Sequence, residues 1–182
     1  MTSLTDNAVS VAILAGGASR RMGQNKAFIL LEGKPLIQHV IDAVIPLQCP
    51  VVIIANDKAS YTPFGLPVYA DLKPGCGSLG GIYTALKVCT TPHVLCLACD
   101  MPFVDSSLLR FLIGQSPDEV DAVVPRVDGR PQPLHAVFHQ RVAPTIAQQL
   151  NQGSFAIYDF LSLIRVSVVC ESILGGNRFN MR

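Results

Sequence analysis

The sequence predicts a three-layer α/β/α sandwich built on a mostly parallel central sheet. Three observations carry that expectation. Short, continuous apolar runs recur along the chain, segments with helical periodicity separate them, and the runs stop abruptly at Gly, Asn or Asp. Parallel strands covered on both faces read as unbroken apolar runs, and the crossover helices between them supply the covering layers. A composition of 49% apolar against 15% charged residues suits several buried strands and excludes a disordered chain.

Residues 11–15 form the first run and end at Gly16-Gly17. Pro35 stands at a helix start, behind which Leu36, Ile37, Val40, Ile41, Val44 and Ile45 repeat at helical spacing. Pro50 precedes the second run, 51–55, which Asn56-Asp57 closes. Residues 67–70 make a shorter strand leading into Asp71, and a glycine-rich turn at 75–81 leads into a helix through about Val88. The run 93–98 ends in Cys99-Asp100-Met101-Pro102, after which Asp105 or Ser106 caps a helix carrying Leu108, Leu109, Leu112 and Ile113. Strands at 122–124 and 134–138 follow, then helices at about 142–150 and 154–163 and a late strand at 165–169.

No repeat, low-complexity tract or linker divides the 182 residues, so one domain is expected. The formal net charge of +1 gives no global reason to expect nucleic acid or a membrane surface as a partner. Residues 1–10 lack the layout of a secretory signal, and no apolar run approaches the ~20 residues that span a bilayer. The expectation is a cytoplasmic protein whose six cysteines are reduced and buried.

Ligands of such sheets sit beyond the carboxyl ends of the strands, and the chain after the first strand is the richest of those places. It reads Leu14-Ala15-Gly16-Gly17-Ala18-Ser19-Arg20-Arg21-Met22-Gly23-Gln24-Asn25-Lys26. The glycines allow close approach of the backbone, and successive N–H groups in such a turn attract anions. Arg20, Arg21 and Lys26 add three positive charges within seven residues. A triphosphate needs that combination of donors, small residues and cations. The loop is not a P-loop, since no Gly-Lys-Ser/Thr follows, and it does not fit GxGxxG.

This stretch, Leu14-Ala15-Gly16-Gly17-x-Ser19-x-Arg21-Met22-Gly23 with Lys26, resembles the signature of the molybdenum cofactor guanylyltransferase family. The resemblance recurs at Asp71 with Gly77-Ser78-Leu79-Gly80-Gly81, at Cys99-Asp100-Met101-Pro102, and loosely at Pro133-Leu134-His135-Ala136. It implies a Rossmann-like fold of the nucleotide-diphospho-sugar transferase type, with a nucleotide-binding half at about 8–105 and an acceptor-binding half at about 106–182. The implied enzyme transfers GMP from GTP to the terminal phosphate of molybdopterin, releases pyrophosphate and uses Mg²⁺. By the same resemblance the nucleotide site comprises Leu14, Ala15, Gly16, Gly17, Arg20, Gly23, Lys26, Asn56, Asp71, Gly80 and Asp100. Lys26, Arg21 and Asp100 are the catalytic candidates; Arg21 matches the family arginine, whereas Arg20 falls at a variable position. Two departures stand out. Asn25 occupies a place where the family commonly has Asp, and the family continues into Asn-Thr-Pro where this chain reads Phe179-Asn180-Met181-Arg182.

Asp100 directly follows an apolar strand, and a carboxylate so placed can hold Mg²⁺ while the ion keeps most of its water. Asp71 occupies the analogous place after the preceding strand. Asn56 reads equally well as a nucleotide contact or a turn residue. Gly77, Gly80 and Gly81 read as room for base or ribose, or as helix–sheet packing. On the acceptor side the resemblance points to Arg130, His135 and Asn180, with Arg130 meeting a phosphate or a pterin carbonyl. GTP and molybdopterin are the expected substrates, and molybdenum-insertion or apo-enzyme maturation proteins the expected class of partner.

Other signals are declined. Cys96 and Cys99 form CxxC, but on a strand residues three apart point to opposite faces. His135 and His139 are spaced HxxxH on a strand and without the Glu of a zinc-protease helix. His39 and His93 read as packing or surface residues. A cytidylyl- or sugar-phosphate nucleotidyltransferase of the same fold is the nearest alternative; relatives that use CTP tend to have Leu-Ala-Ala-Gly at the loop, so Gly16-Gly17 favours guanine. A nucleotide-binding relative without turnover is the second alternative.

Overall fold

Strand β1 (Val9–Leu14) is buried at all six positions, because it has a strand on either side and helices over both faces. The computed structural model of the protein describes residues 8–16, 25–115 and 119–170. A small hairpin of β2 (Leu30–Leu31) and β3 (Lys34–Pro35) leads into α1 (Leu36–Val44). Pro35 is the N-cap of α1, and Ile37, Val40, Ile41 and Val44 form its buried stripe. Ile45, assigned to that stripe by its spacing, is 62% exposed: the helix ends there and tightens into a 3₁₀ turn that buries Leu47 in its place.

β4 (Val51–Ile54) and β5 (Val68–Tyr69) follow, linked through α2 (Lys58–Tyr61), a single turn that helical periodicity does not reveal. Then come α3 (Gly77–Val88) and β6 (His93–Ala98). Of the glycine-rich stretch, Gly75 and Cys76 do form a turn ahead of the helix, but residues 77–81 are the start of the helix itself. A Cβ on Gly80 would lie 2.9 Å from Cys76 Cβ and 3.0 Å from the Lys73 carbonyl, so a side chain there would push the helix off the preceding loop.

Helix α4 (Ser106–Gly114) is capped by Asp105 and not by Ser106. The Asp105 Oδ1 accepts from Ser107 N at 2.9 Å and Leu108 N at 3.2 Å, whereas the Ser106 hydroxyl donates to the Ala43 carbonyl of α1. The chain continues through β7 (Ala122–Val127), β8 (Arg130–Pro131), β9 (His135–His139) and α5 (Ala143–Asn151). It then forms α6 (Ile157–Leu161) and β10 (Val166–Cys170). Helix α6 is shorter than the 154–163 expected. Buried Gln149 donates to the Ser154 hydroxyl and the Ala156 carbonyl, which holds 154–156 as a loop.

The sheet order is β10-β7-β9-β6-β1-β4-β5, with β8 paired to β7. Strands β6, β1, β4 and β5 run parallel, as does β10 with β7. β9 runs against both β6 and β7, a reversal that apolar runs alone do not disclose.

Helices α1 and α4 cover one face, where Val11, Ile13, Leu95 and Leu97 meet Val40, Leu108 and Leu112. Helices α3 and α5 cover the other, where Ala12, Val94 and Cys96 meet Ile82, Ala85 and Ile146. Cys96 and Cys99 thus lie in opposite cores. No disulfide joins the described cysteines; Cys89, Cys96 and Cys99 are buried, but Cys49, Cys76 and Cys170 are partly exposed, so the expectation of burial holds for half of them. Among the described residues no helix is long and apolar enough to cross a membrane.

Candidate active site

Because β5, β4, β1 and β6 run the same way, their carboxyl ends share one edge of the sheet. The register keeps that edge level: Leu14 pairs with Ile54 on one side and Ala98 on the other, and Ile54 pairs with Tyr69. Beyond the last pairs, Ala15 N donates to Ile54 O at 2.9 Å and Cys99 N to Leu14 O at 3.2 Å. The four exits deliver Ala15-Gly16, Asn56, Asp71 and Asp100 to the same rim.

Lys26 opens a 3₁₀ turn, Lys26–Phe28, that Asn25 caps by accepting from Ala27 N at 3.1 Å. An amide oxygen caps as a carboxylate would, so the departure at Asn25 does not cost the turn its cap. The turn brings Lys26 Nζ to 3.4 Å from Asp100 Oδ2, with the two side chains 46% and 34% exposed. The contact is long for a charge-assisted hydrogen bond, and both groups are open to a ligand.

Asp71 and Asn56 are locked together. Asn56 Nδ2 donates to Asp71 Oδ2 at 3.1 Å, and Asp71 N donates to Asn56 Oδ1 at 2.9 Å. The other carboxylate oxygen, Oδ1, is buried without a hydrogen-bond partner, an arrangement that costs free energy until a donor or proton arrives. Burial raises the Asp71 pKa from its ordinary value, opposed by the Asn56 hydrogen bond. Leu72 N donates to Thr84 Oγ1 and Thr84 Oγ1 to Gly80 O, each at 2.9 Å, tying the exit of β5 to α3. Gly16 is small for a local reason: a Cβ there would stand 3.0 Å from Asp71 Oδ2. Gly80 faces Cys76 and Lys73 of the loop before its own helix, whereas Gly81 is the glycine that faces the sheet, at Leu14 of β1.

On the later strands, Arg130 is exposed on β8 opposite Val127. His135 begins β9 opposite Leu97 of β6 and is 3% exposed. Burial pushes its imidazole down to about 4, so it is neutral at pH 7, and its Nε2 has no hydrogen-bond partner. Gly17, Arg20, Arg21, Gly23 and Asn180 lie outside the described residues. Thr84 and Tyr61 were missed by sequence reading. The first is a helix residue with nothing in its neighbours to mark it, and the second sits on the unread α2.

Among the described residues no three His, Cys, Asp or Glu side chains converge as a metal cage. Mg²⁺ in phosphoryl-transfer sites commonly takes one or two carboxylates and fills its shell with phosphate oxygens and water. Asp100, a partly exposed hard-oxygen donor at a strand end, fits that requirement.

A level rim of parallel strands carrying a lysine–carboxylate pair, with Ala15-Gly16 at the end of β1, suits an α/β enzyme of the nucleotidyltransferase class. Residues 11–165 match the MobA-like NTP transferase domain, and the chain belongs to that family. A molybdenum cofactor guanylyltransferase of Desulfosudis oleivorans is 36% identical over 169 residues, covering 92% of this chain and 84% of its own. A probable molybdenum cofactor guanylyltransferase of Carboxydothermus hydrogenoformans is 35% identical over 161 residues, covering 88% and 81%. Among solved structures, molybdopterin-guanine dinucleotide biosynthesis protein A from Archaeoglobus fulgidus superposes with a TM-score of 0.77 at 29% identity, covering 94% of this chain and 87% of that one.

Proposed function

We propose that this enzyme transfers GMP from GTP to the terminal phosphate of molybdopterin, with release of pyrophosphate. The observation that carries the reading is the Lys26–Asp100 pair on the level strand rim, in a chain of this family. An oxygen of the acceptor phosphate forms the new bond to the α-phosphorus of GTP. The bond from that phosphorus to the bridging oxygen breaks, and pyrophosphate leaves with the electron pair. The attacking phosphate is already anionic at neutral pH, so no protein nucleophile is needed. The chain's task is to align two anions and offset their repulsion. Alignment can supply about 7–11 kcal/mol of a barrier in favourable cases.

Lys26 exchanges its 3.4 Å contact with Asp100 for the triphosphate oxygens. Asp100 is the residue that would hold Mg²⁺, which when bound neutralises phosphate charge. Arg21, by family resemblance, adds a second cation; Arg20, Gly17 and Gly23 complete the loop. The Asn56–Asp71 pair, with its orphaned Oδ1, offers a buried acceptor for donors on the nucleotide. Arg130, His135 and Asn180 are the acceptor-side candidates, Arg130 standing on the same rim at β8. A cytoplasmic setting, with molybdenum-insertion or maturation proteins as partners, follows from the same reading. The test is a transfer assay with molybdopterin, Mg²⁺ and either GTP or CTP, read by pyrophosphate and product mass. Guanylylated cofactor from GTP alone is expected; product from CTP alone would overturn the assignment.

A further inference from the structure

Nothing in the expected nucleotide site accounts for Tyr61. It is the last residue of α2, 1% exposed, and its ring lies 5.1 Å from Phe28, the third residue of the Lys26 turn, and 6.3 Å from Phe64. Its hydroxyl is engaged on both sides. Asn25 Nδ2 donates to it at 2.9 Å, and it donates to the Ala15 carbonyl at 3.2 Å.

The direction of these bonds is fixed by chemistry. An amide NH₂ only donates and a backbone carbonyl only accepts, so the single phenolic proton must point at Ala15. Burial raises the phenol's pKa above its ordinary value, with the Asn25 hydrogen bond opposing, so the proton stays in place. Asn25 serves twice, because its Oδ1 caps the Lys26 turn while its Nδ2 feeds the hydroxyl. A carboxylate at position 25 can only accept. It would draw the phenolic proton to itself and release Ala15. Among the described residues no backbone–backbone hydrogen bond joins the Lys26 turn to β1, so the hydroxyl bridges what the backbone does not.

We propose that Tyr61 is a positioning residue: its hydroxyl fastens Asn25 to Ala15 and so holds the turn carrying Lys26 in fixed register with the end of β1. This rests on the reading of Lys26 and the end of β1 as part of the triphosphate site. The role acts through Lys26, since Tyr61 itself is buried and touches no substrate.

The experiment compares wild type, Tyr61→Phe, Asn25→Ala and the double variant by GTP titration with Mg²⁺, steady-state pyrophosphate release and thermal melting. Tyr61→Phe keeps the ring and its aromatic contacts, so it should fold, with a melting point lowered by no more than about 10 °C for the lost hydroxyl bonds. Its GTP dissociation constant should rise about five- to thirtyfold, from the loss of one hydrogen bond and the mispaired groups it leaves, with kcat falling as well as KM rising. Asn25→Ala, at an exposed side chain that spares the core, should shift affinity in the same direction. The double variant should be no worse than the poorer single one, since both cut one chain of bonds. Tyr61→Phe within twofold of wild type in both affinity and kcat overturns the proposal, as do single-variant effects that multiply. Wild type that neither binds GTP nor releases pyrophosphate overturns the triphosphate-site reading, and the proposal with it.

Discussion

Replacing Asp100 with Asn separates the fold's use of this residue from the chemistry's. The change keeps the side chain's shape and removes one charge. In the free protein that charge faces Lys26 Nζ at 3.4 Å, with both side chains open to water. Two unit charges at that distance interact by about 1 kcal/mol in water. Screening and side-chain entropy reduce a pair of this kind to about 0–1 kcal/mol. For a domain of this size 1 kcal/mol moves the melting point by about 2–4 °C, so Asp100→Asn should melt within about 4 °C of wild type. Turnover should respond on another scale. If Asp100 holds Mg²⁺ against the triphosphate, its loss should lower kcat by at least about 10²–10³, the scale of removing one preorganised group that stabilises transition-state charge. The assay is pyrophosphate release from GTP with molybdopterin across a Mg²⁺ titration, alongside a melt of the same sample. A variant within about tenfold of wild-type turnover at limiting Mg²⁺ would refute the assignment. So would one that loses turnover only in step with a melting point lowered by about 10 °C or more, over twice the shift that the pair's energy allows.

Lys26→Ala should likewise melt within about 4 °C of wild type and cut kcat/KM for GTP by at least about a hundredfold; steady-state kinetics at saturating acceptor would show it, and near-normal turnover would remove Lys26 from the site. Gly16→Ala places a methyl 3.0 Å from Asp71 Oδ2 and should cost about 1–3 kcal/mol by denaturant titration, with weaker GTP binding; unchanged stability and affinity would mean the rim yields without loss. His135 has a folded-state pKa near 4, below its unfolded value near 6.5. Its neutral form therefore supports the fold fully above pH 6.5, and that support fades as pH falls from about 6.5 to about 4. His135→Gln should flatten the stability profile across that window, and an unaltered profile would mean that the imidazole is not held neutral. Asp121 is depressed below the usual carboxylate range, first by its Arg165 hydrogen bond and also by Arg141. Its contribution should be intact above about pH 4 and fade below it, so Asp121→Asn should lower the melting point at pH 7 and narrow the gap to wild type at pH 3.

Where side chains obey one local rule, the sequence was readable. Unbroken apolar runs marked β1, β4 and β6, and helical spacing marked α1 and α4, each to within a residue or two. Asp71 and Asp100 were legible because polar residues directly after such runs must emerge at the strand ends. What escaped depended on partners distant in the chain. The reversal of β9 is set by which strands it pairs with, and its own five residues look the same in either direction. The shortening of α6 comes from Gln149, and the fit of Gly16 from Asp71, 55 positions away in the sequence. Tyr61 was invisible for the same reason, its two hydroxyl contacts lying 36 and 46 residues off.

The reversed β9 also shapes what this scaffold can become. A parallel β9 would have to be entered from the far edge of the sheet, and the segment before it would lie away from Asp100. Running the other way, β9 starts at the rim, so residues 128–134, with β8 and Arg130, project beside the end of β6 that carries Asp100. That short ribbon is anchored at both feet by β7 and β9, and the exits of β1, β4 and β5 contribute no strand pairing to it. Lengthening or re-sequencing it would present a new surface to the incoming molecule while the exits of β1, β4 and β5 stay as they are. If the acceptor meets this hairpin, as the proposed function has it, acceptors could diversify within one catalytic frame through changes in residues 128–134 alone.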